Sequence, residues 1–598
     1  MCGIFAYIGK KDDAADFVLS GLKFLEYRGY DSWGIAAKMI SKTSKARYPH
    51  RFEIEKHIGK IGSARISNRL KKPSTLAIGH TRWATHGGVV EKNAHPHLDC
   101  NQTVAVVHNG IVENYIELRK MLLQKGHKFI SETDTEIISH LIEENLKNKG
   151  FATSVRETFN QLKGMNAIVV AYALSSEIIA VKNGSPLVIG QTKDGYIIAS
   201  DTAGIVRYTK KVLFLKDNEM VILGKNITLL TLPRGIKSTL HFSNINWEIE
   251  DEPLGKYRHY MLKEIYEQPK VIRNIALNYS QQIQKLGKII KSSKGTFFIG
   301  AGSAAYACMS GTYLFSKIAH LHVNMAFASE FNYLEDFLNN KSLIIALSQS
   351  GETIDIIEPL IRAKAKKSKI VALINVLGST LYRMSDYKLM LGAGPEKAVA
   401  STKAYLAKLA VLYALSYAMV DETKKANQEL YAVATEIERL LKPKYAQYVK
   451  EIARRLKNAV HIYVIGRGVS YPTALEAAMK IKEVSYVHTE GLAGGELKHG
   501  PLALISNGSA CIVFAPLDET YDAIISNAIE IKSRGGIIIG ISPINNSIFD
   551  YWLEVKNLNE ALVIAQIVPV QLLAYHMALL KKLDPDKPRN LAKSVTVK

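Results

Sequence analysis

Three apolar runs in the last two thirds of the chain recur in the same order at a nearly constant displacement. Phe297-Phe298-Ile299-Gly300-Ala301-Gly302 aligns with Tyr463-Val464-Ile465-Gly466-Arg467-Gly468, 166 residues on. Leu343–Thr353 aligns with Ala510–Thr520, and Val371-Ala372-Leu373-Ile374 with Ile538-Ile539-Gly540-Ile541, both 167 residues on. Each run reads as a strand followed by a polar loop and a helical stretch. Such self-similarity marks a duplicated unit. Strands alternating with helices require a parallel sheet with right-handed crossovers. The pattern predicts two doubly wound α/β domains, 241–440 and 441–598, split near Lys442-Pro443-Lys444. Ligands of such sheets sit at the carboxyl ends of the strands, beside helix N-termini.

The copies differ at that position. The second strand of the first copy ends Ser348-Gln349-Ser350-Gly351-Glu352-Thr353. Three hydroxyls and a glycine at a helix start form a phosphate cradle. The second copy has Ala515-Pro516-Leu517-Asp518-Glu519-Thr520. Pro516 lacks an N–H and Asp518 repels phosphate, so phosphate is expected in the first copy alone. Ser303, after the first Gly-x-Gly, is a further contact. That Gly-x-Gly is weak evidence for a dinucleotide.

At 598 residues the chain needs more than one core. Its apolar fraction of 47% is that of a globular protein. Neither an uninterrupted apolar run long enough for a membrane span nor a basic-then-apolar leader is recognised. Four cysteines make no disulfide framework, and Cys100, Cys308 and Cys511 fall in no metal-ligand spacing, which fits a reducing cytoplasm. The net charge of +22 fits nucleic acid or a lysine-rich surface that attracts anionic metabolites. Lys364, Lys366, Lys367 and Lys369 read as the solvated end of a helix, and nucleic-acid motifs are not recognised, so the second reading is preferred.

Residues 1–240 read as many short strands with a few helices, and the chain begins Met1-Cys2-Gly3. With Met1 removed, Cys2 carries a thiol and an α-amine, whose pKa is about 7.7–8.0. The amine can take the thiol's proton through a water. A cysteine attacking a glutamine amide needs donors aimed at the oxyanion. Asn109 and Gly110, in an Asn-Gly turn after the run Thr103–Val107, can supply them, or can be only a hairpin turn. Arg82 can grip a carboxylate with two hydrogen bonds, or can be a structural ion pair. Asp134 can pair with an ammonium, or can cap a helix Thr135–Leu146. His80, His86, His95, His97 and His108 read as scattered over loops, so a metal site is not expected.

Together with Cys2, Tyr27-Arg28-Gly29-Tyr30-Asp31-Ser32, Gly79–Gly87, Val107–Asn114, Ser131–Glu136, Lys182–Leu187 and Ser200-Asp201 resemble the class II glutamine amidotransferase domain of the N-terminal nucleophile hydrolases. The resemblance implies a four-layer αββα sandwich with Cys2 as nucleophile. It assigns Asn109 and Gly110 to the oxyanion hole, and Arg82, Thr85, His86 and Asp134 to glutamine. Trp33 stands where the family has a small residue.

The Ser348–Thr353 loop, the repeat and Ala328-Ser329-Glu330-Phe331 resemble the sugar isomerase (SIS) domain pair. With Ala400–Ala404, Ala474–Glu483, Gly495–Pro501 and the tail Pro588–Lys598, the whole chain is similar to the family of isomerising glutamine–fructose-6-phosphate aminotransferases. That family makes D-glucosamine 6-phosphate and L-glutamate from D-fructose 6-phosphate and L-glutamine. The resemblance implies sugar-phosphate contacts at Ser303, Ser348, Gln349, Ser350, Thr353 and Ala400. It implies Lys593 as Schiff-base lysine, Glu483 as the C1/C2 proton carrier with Lys480 beside it, and His499, from a partner subunit, as ring opener. Trp83 is implied as the gate of an ammonia passage. A homodimer without cofactor or metal follows. Departures lie at Ala301-Gly302-Ser303-Ala304, against Cys-Gly-Thr-Ser, and at Glu396-Lys397-Ala398-Val399, against Glu-Ile-Gly-Val.

Glu476, Lys480 and Glu483 fall on one helix face, which on spacing alone also fits a surface salt-bridge ladder. A sugar-phosphate-binding regulator is disfavoured by Cys2, since a sensor needs no ammonia source. A hydrolysing relative acting on an amino-sugar phosphate is disfavoured by Cys2, Glu483 and Lys593 together. An amidotransferase acting on a phosphoribosyl donor is disfavoured by the repeat and the Ser348–Thr353 loop.

Overall fold

The computed structural model describes residues 2–39, 51–245 and 253–595. They form two compact units, one of residues 2–39, 51–245 and 594–595 and the other of residues 253–593. The expected removal of Met1 concerns a residue outside the described ones.

The N-terminal unit stacks two antiparallel sheets between helices. An eight-stranded sheet has the strands Gly3–Gly9 and Ser74–Arg82 at its centre, and a seven-stranded sheet carries Val104–Gly110 and Asn166–Tyr172. Alternation along each strand fills both faces. Ile4, Ala6 and Ile8 point into the inter-sheet core with Val107, Ala167 and Val169. Phe5 and Tyr7 point outward, onto Val18, Leu19 and Leu22 of the helix Ala14–Leu25. Val104 and Val106 point to the opposite outside, onto Ile137, Ile138 and Leu141 of the helix Glu136–Leu146. The layers are therefore αββα. This unit runs past residue 240, because the short strand Ser243–Asn244 pairs with Lys211–Phe214. Trp33 fits without disturbance: it is buried and stacks on His57, with ring centroids 4.4 Å apart.

The C-terminal unit holds two five-stranded parallel sheets. In the first, the order is Asn324–Phe327, Thr296–Gly300, Leu343–Ser348, Lys369–Ile374, Tyr387–Met390. In the second it is His488–Ala493, His461–Gly466, Ala510–Phe514, Ile537–Ser542, Tyr551–Glu554. Both copies follow the strand order 2-1-3-4-5, which places the switch point between the first and third strands. Each sheet is covered on both faces. Ile345, Leu347 and Phe298 face one core while Ile344, Ala346 and Ile299 face another.

One core runs through both copies, joining Phe298, Ile345 and Leu347 of the first to Ile462, Val464 and Ile512 of the second. The helix Lys403–Met419 is buried on all sides within it. Pro443 opens the helix Pro443–Leu456, where its missing N–H costs nothing. The segment Asn559–Leu580 is long and apolar enough to cross a bilayer by composition, but 89% of its most apolar window is buried in the protein.

Candidate active sites

In the N-terminal unit, the two sheets bring four segments to one end. Gly3 pairs with Thr81, so Cys2 lies beside the end of the strand Ser74–Arg82. A Cβ on Gly3 would come within 2.6 Å of Thr81 Oγ1 and 2.8 Å of Leu25 Cβ, so only glycine allows this approach. The Trp83 N–H donates to Cys2 Sγ at 3.3 Å, which fixes the sulfur against the backbone that follows Arg82. Two donors hold the Cys2 carbonyl oxygen: Asn109 Nδ2 at 3.0 Å and Arg28 Nε at 3.2 Å. Arg28 is fixed in turn by Asp201, whose carboxylate also accepts from Tyr27. Asp31 accepts from the Ala84 N–H at 2.8 Å, anchoring the same segment.

Asn109 and Gly110 do not sit in a turn. They are the last residues of the strand Val104–Gly110, because pairing with Asn166–Tyr172 continues as far as Gly110 opposite Asn166. Gly110 has φ +139°, and a Cβ there would meet the Met165 carbonyl oxygen at 2.2 Å. Arg82 is buried, and its guanidinium donates to the carbonyls of His86, Gly87 and Gly88 rather than to a carboxylate. Burial lowers its pKa, opposed by the nearby charges of Cys2, Asp31 and Asp134. Asp134 does not cap the following helix, which starts at Glu136. Its carboxylate accepts from the Val112 N–H at 2.8 Å. His86 is half-buried against Tyr115, and Thr85 is exposed.

Of the five histidines expected in loops, only His86 and His95 lie there. His80, His97 and His108 lie on strands, and His80, His95, His97 and His108 are all buried. His80 stacks on His95 at 4.2 Å, and its Nε2 faces Asn109 Oδ1 at 3.1 Å, tying one sheet to the other. Burial lowers His80 to about 3, and it lowers His95, His97 and His108 as well. Their folded pKa values are depressed, so the unfolded chain binds protons below about 6.5 that the folded chain refuses. Their stabilising contribution is complete above that pH and is lost as pH falls toward the folded values, by up to about 1.4 kcal/mol per pH unit for each histidine. The thermal unfolding midpoint of the N-terminal unit, followed in the full-length protein, should therefore shift to markedly lower temperature between pH 7.5 and pH 5. An unchanged midpoint would show that these rings are already charged or exposed.

In the C-terminal unit, the loop after Ser348 is shaped by its own hydroxyls. Ser348 Oγ accepts from the Gly351 N–H at 2.9 Å, and Ser350 Oγ from the Glu352 N–H at 3.2 Å. Gly351 has φ +68°, and a Cβ there would lie 2.2 Å from Ser379 Oγ. Gln349 and Thr353 are half-buried at the mouth of the helix Ile354–Ala365. In the second copy, Asp518 accepts from the N–H and the hydroxyl of Thr520, the residue aligned with Thr353, at 2.8 and 2.6 Å.

The helix Ser470–Ser485 does not carry a surface ladder. Glu476 and Lys480 are fully buried, and only Glu483 reaches a partly open surface. Lys480 Nζ lies 2.5 Å from Glu483 and 3.5 Å from Glu476. Burial pushes Glu476 up to about 7. Burial also opposes the charge on Lys480, but Glu476 and Glu483 outweigh it and raise that amine. Ser303 donates to Glu476 at 3.0 Å, so its hydroxyl is engaged by the second copy.

Lys593 Nζ pairs with Glu396 at 2.6 Å and donates to the Ala398 carbonyl at 2.7 Å. Glu396 is also held by the N–H groups of Thr402 and Ala404 and by the Ser401 hydroxyl. Buried Ala400 is thus part of a loop that wraps this carboxylate. Burial opposes ionisation of Glu396, but Lys593 overrides it and lowers the carboxyl to about 2. Buried Lys408, lowered to about 8 by desolvation, feels Glu396, Lys593 and Glu476. Lys408 was not singled out from sequence, and Arg28, Asp201 and Glu396 stood there only within motifs, with no role given. A charged residue in the interior of an otherwise apolar run, as Lys408 is, was the available signal. His499 is exposed at the end of the 3-10 segment Gly494–His499.

Residues 80–207 match the glutamine amidotransferase domain family, and residues 289–418 and 455–581 each match the SIS domain family. The chain is 42% identical to a glutamine–fructose-6-phosphate aminotransferase [isomerizing] of Pyrococcus horikoshii and 40% identical to that of Thermococcus kodakarensis, over the full length of each. Among solved structures, the C-terminal domain of glucosamine-fructose-6-phosphate aminotransferase from Francisella tularensis is similar. It is 31% identical with a TM-score of 0.53, covering 56% of this chain and 100% of that one.

Proposed function

Since the chain belongs to the family of isomerising glutamine–fructose-6-phosphate aminotransferases, we propose that it converts D-fructose 6-phosphate and L-glutamine to D-glucosamine 6-phosphate and L-glutamate. The observation that carries this reading is the pairing, in one chain, of a Cys2 centre with the duplicated unit in which Lys593 is buried against Glu396.

Cys2 Sγ attacks the glutamine amide, and the oxyanion is taken by the Asn109 side chain and the Gly110 N–H. Arg82 and Asp134 hold the carboxylate and ammonium of glutamine, with Thr85 and His86 at the rim. Ammonia leaves, and water clears the thioester. Ammonia loses its nucleophilicity if protonated in bulk water, so it passes to the sugar site internally. We assign the gate to Trp83, whose backbone already touches the Cys2 sulfur.

The sugar phosphate sits on the Ser348–Thr353 loop at the switch point of the first copy, and Asp518 fills the corresponding loop of the second. Lys593 holds the open ketone as a Schiff base. Glu483, the accessible carboxylate of its helix, moves the proton between C1 and C2, and Lys480 pairs with it from beneath. His499 is exposed, as a residue serving the site of a second subunit must be, which supports a homodimer. The four free thiols fit a cytoplasmic protein.

The test is product analysis with glutamine and fructose 6-phosphate, separately and together. Glucosamine 6-phosphate forming in step with glutamate is expected. Glutamate without amino sugar would leave the N-terminal assignment standing and overturn the sugar assignment, with Ala301 and Lys397 as the first positions to change.

A further inference from the structure

Cys100 lies in the turn between the strands His97–Leu98 and Val104–Gly110, His127 follows the helix Tyr115–Gln124, and His140 and Glu143 stand one turn apart on the helix Glu136–Leu146. The ligand-type atoms of these four side chains all lie within 4.8 Å of one another. Cys100 Sγ is 3.5 Å from His140 Nδ1 and 3.8 Å from His127 Nδ1. Glu143 Oε2 is 3.0 Å from His127 Nδ1 and 3.2 Å from His140 Nδ1. A tetrahedral zinc ion with bonds of about 2.0–2.3 Å places its neighbouring ligand atoms about 3.2–3.8 Å apart. The four measured edges fall close to that range.

The surroundings also fit a metal. Each imidazole turns its second nitrogen toward a carboxylate: His127 Nε2 is 3.1 Å from Glu144, and His140 Nε2 is 3.6 Å from Glu136. That arrangement fixes the tautomer in which Nδ1 carries a lone pair for a metal. Cys100 Sγ accepts from the Lys128 N–H at 3.5 Å, and the other oxygen of Glu143 accepts from Asn101 at 2.8 Å. His127 and His140 are buried, so an ion there is shielded on one side, with Cys100 at the surface as the entry. A thiolate and a carboxylate balance the double charge of the ion, and two neutral imidazoles complete the set.

We propose that Cys100, His127, His140 and Glu143 bind one zinc ion as a structural site of the glutaminase unit. Binding forms four bonds to the ion and releases the thiol proton to solvent. No redox step is involved. The ion clamps the turn 99–103 and the segment around His127 to the helix Glu136–Leu146, just after Asp134. It therefore braces the side of the glutamine pocket that receives the ammonium group. A set of hydrogen bonds among the same groups, without an ion, is the competing reading.

The test uses the full-length protein. It is loaded with Zn²⁺, desalted and assayed for metal by mass spectrometry, then reloaded with Co²⁺. One zinc per chain is expected, with a thiolate-to-cobalt charge-transfer band in the near ultraviolet. Cys100→Ser should abolish that band, and His127→Ala should lower retained zinc at least tenfold. Loss of retained metal together with an absent cobalt band in the unaltered protein would overturn the proposal, whatever the variants do. Full retention in both variants would place any metal elsewhere and overturn it equally.

Discussion

Cys2→Ala is expected to reduce glutamine hydrolysis by on the order of 10⁴-fold or more, the scale of losing a nucleophile that acts as part of a unit. Interconversion of fructose 6-phosphate with its aldose should persist. The contacts of Cys2 explain why the variant is interpretable. Asn109 and Arg28 bind its carbonyl oxygen, not its sulfur, and the Gly3 N–H is held by Thr81 Oγ1 at 3.1 Å. Removing the thiol therefore frees one N–H, that of Trp83, at a cost of about 1 kcal/mol. Glutamate release and ketose–aldose exchange, measured on the same preparation, separate the two chemistries. Glutaminase activity surviving in the variant would sink the assignment of Cys2.

Lys593→Ala should give the mirror image. Amino-sugar formation is expected to fall below detection, while glutamate release from glutamine alone remains measurable. Deleting the amine also removes the cation from a buried carboxylate, which usually destabilises by about 3–5 kcal/mol. Glu396 keeps the N–H groups of Thr402 and Ala404 and the Ser401 hydroxyl, and Lys408 is nearby, so the loss should fall toward the lower end. Glu396→Gln separates the two effects, since it retains the amine and removes its partner. If Lys593→Ala still makes glucosamine 6-phosphate at an undiminished rate, the Schiff base must form elsewhere.

The duplicated α/β unit was legible because alternating strands and helices leave a periodic trace, and its two sheets do follow one strand order. The sandwich was reached through motifs, since short antiparallel strands alternate too weakly to count. Single residues fared according to what decides their role. Cys2, Arg82, Asp134 and Asn109 were named from their chemistry, and the fold brings Cys2 and Asn109 into direct contact. Whether Asn109 stands in a turn or a strand depended on pairing with Asn166–Tyr172, which the local Asn-Gly signal does not contain. The four buried histidines misled because they come from three segments, around His80, His95-Pro96-His97 and His108, that meet only once the sheets are stacked. Cys100 was set aside and His127 and His140 went unnamed for the same reason, their spacing matching no linear ligand motif. Glu476 and Lys480 illustrate a further limit: helical spacing gives the shared face but not whether that face meets water or core.

A duplicated domain is ordinarily pictured as two modules that can be cut apart. The hydrogen bond from Ser303 to Glu476 argues against that picture here. The donor belongs to the first copy and the acceptor to the second, and both are buried. Severing the halves would strand a carboxyl group and its lysine without their hydroxyl, and would open the core they share. Neither half should therefore be expressible as a well-behaved fragment. The inherited repeat should therefore behave as one folding unit, in which a change at Ser303 in one half meets the buried Glu476 of the other.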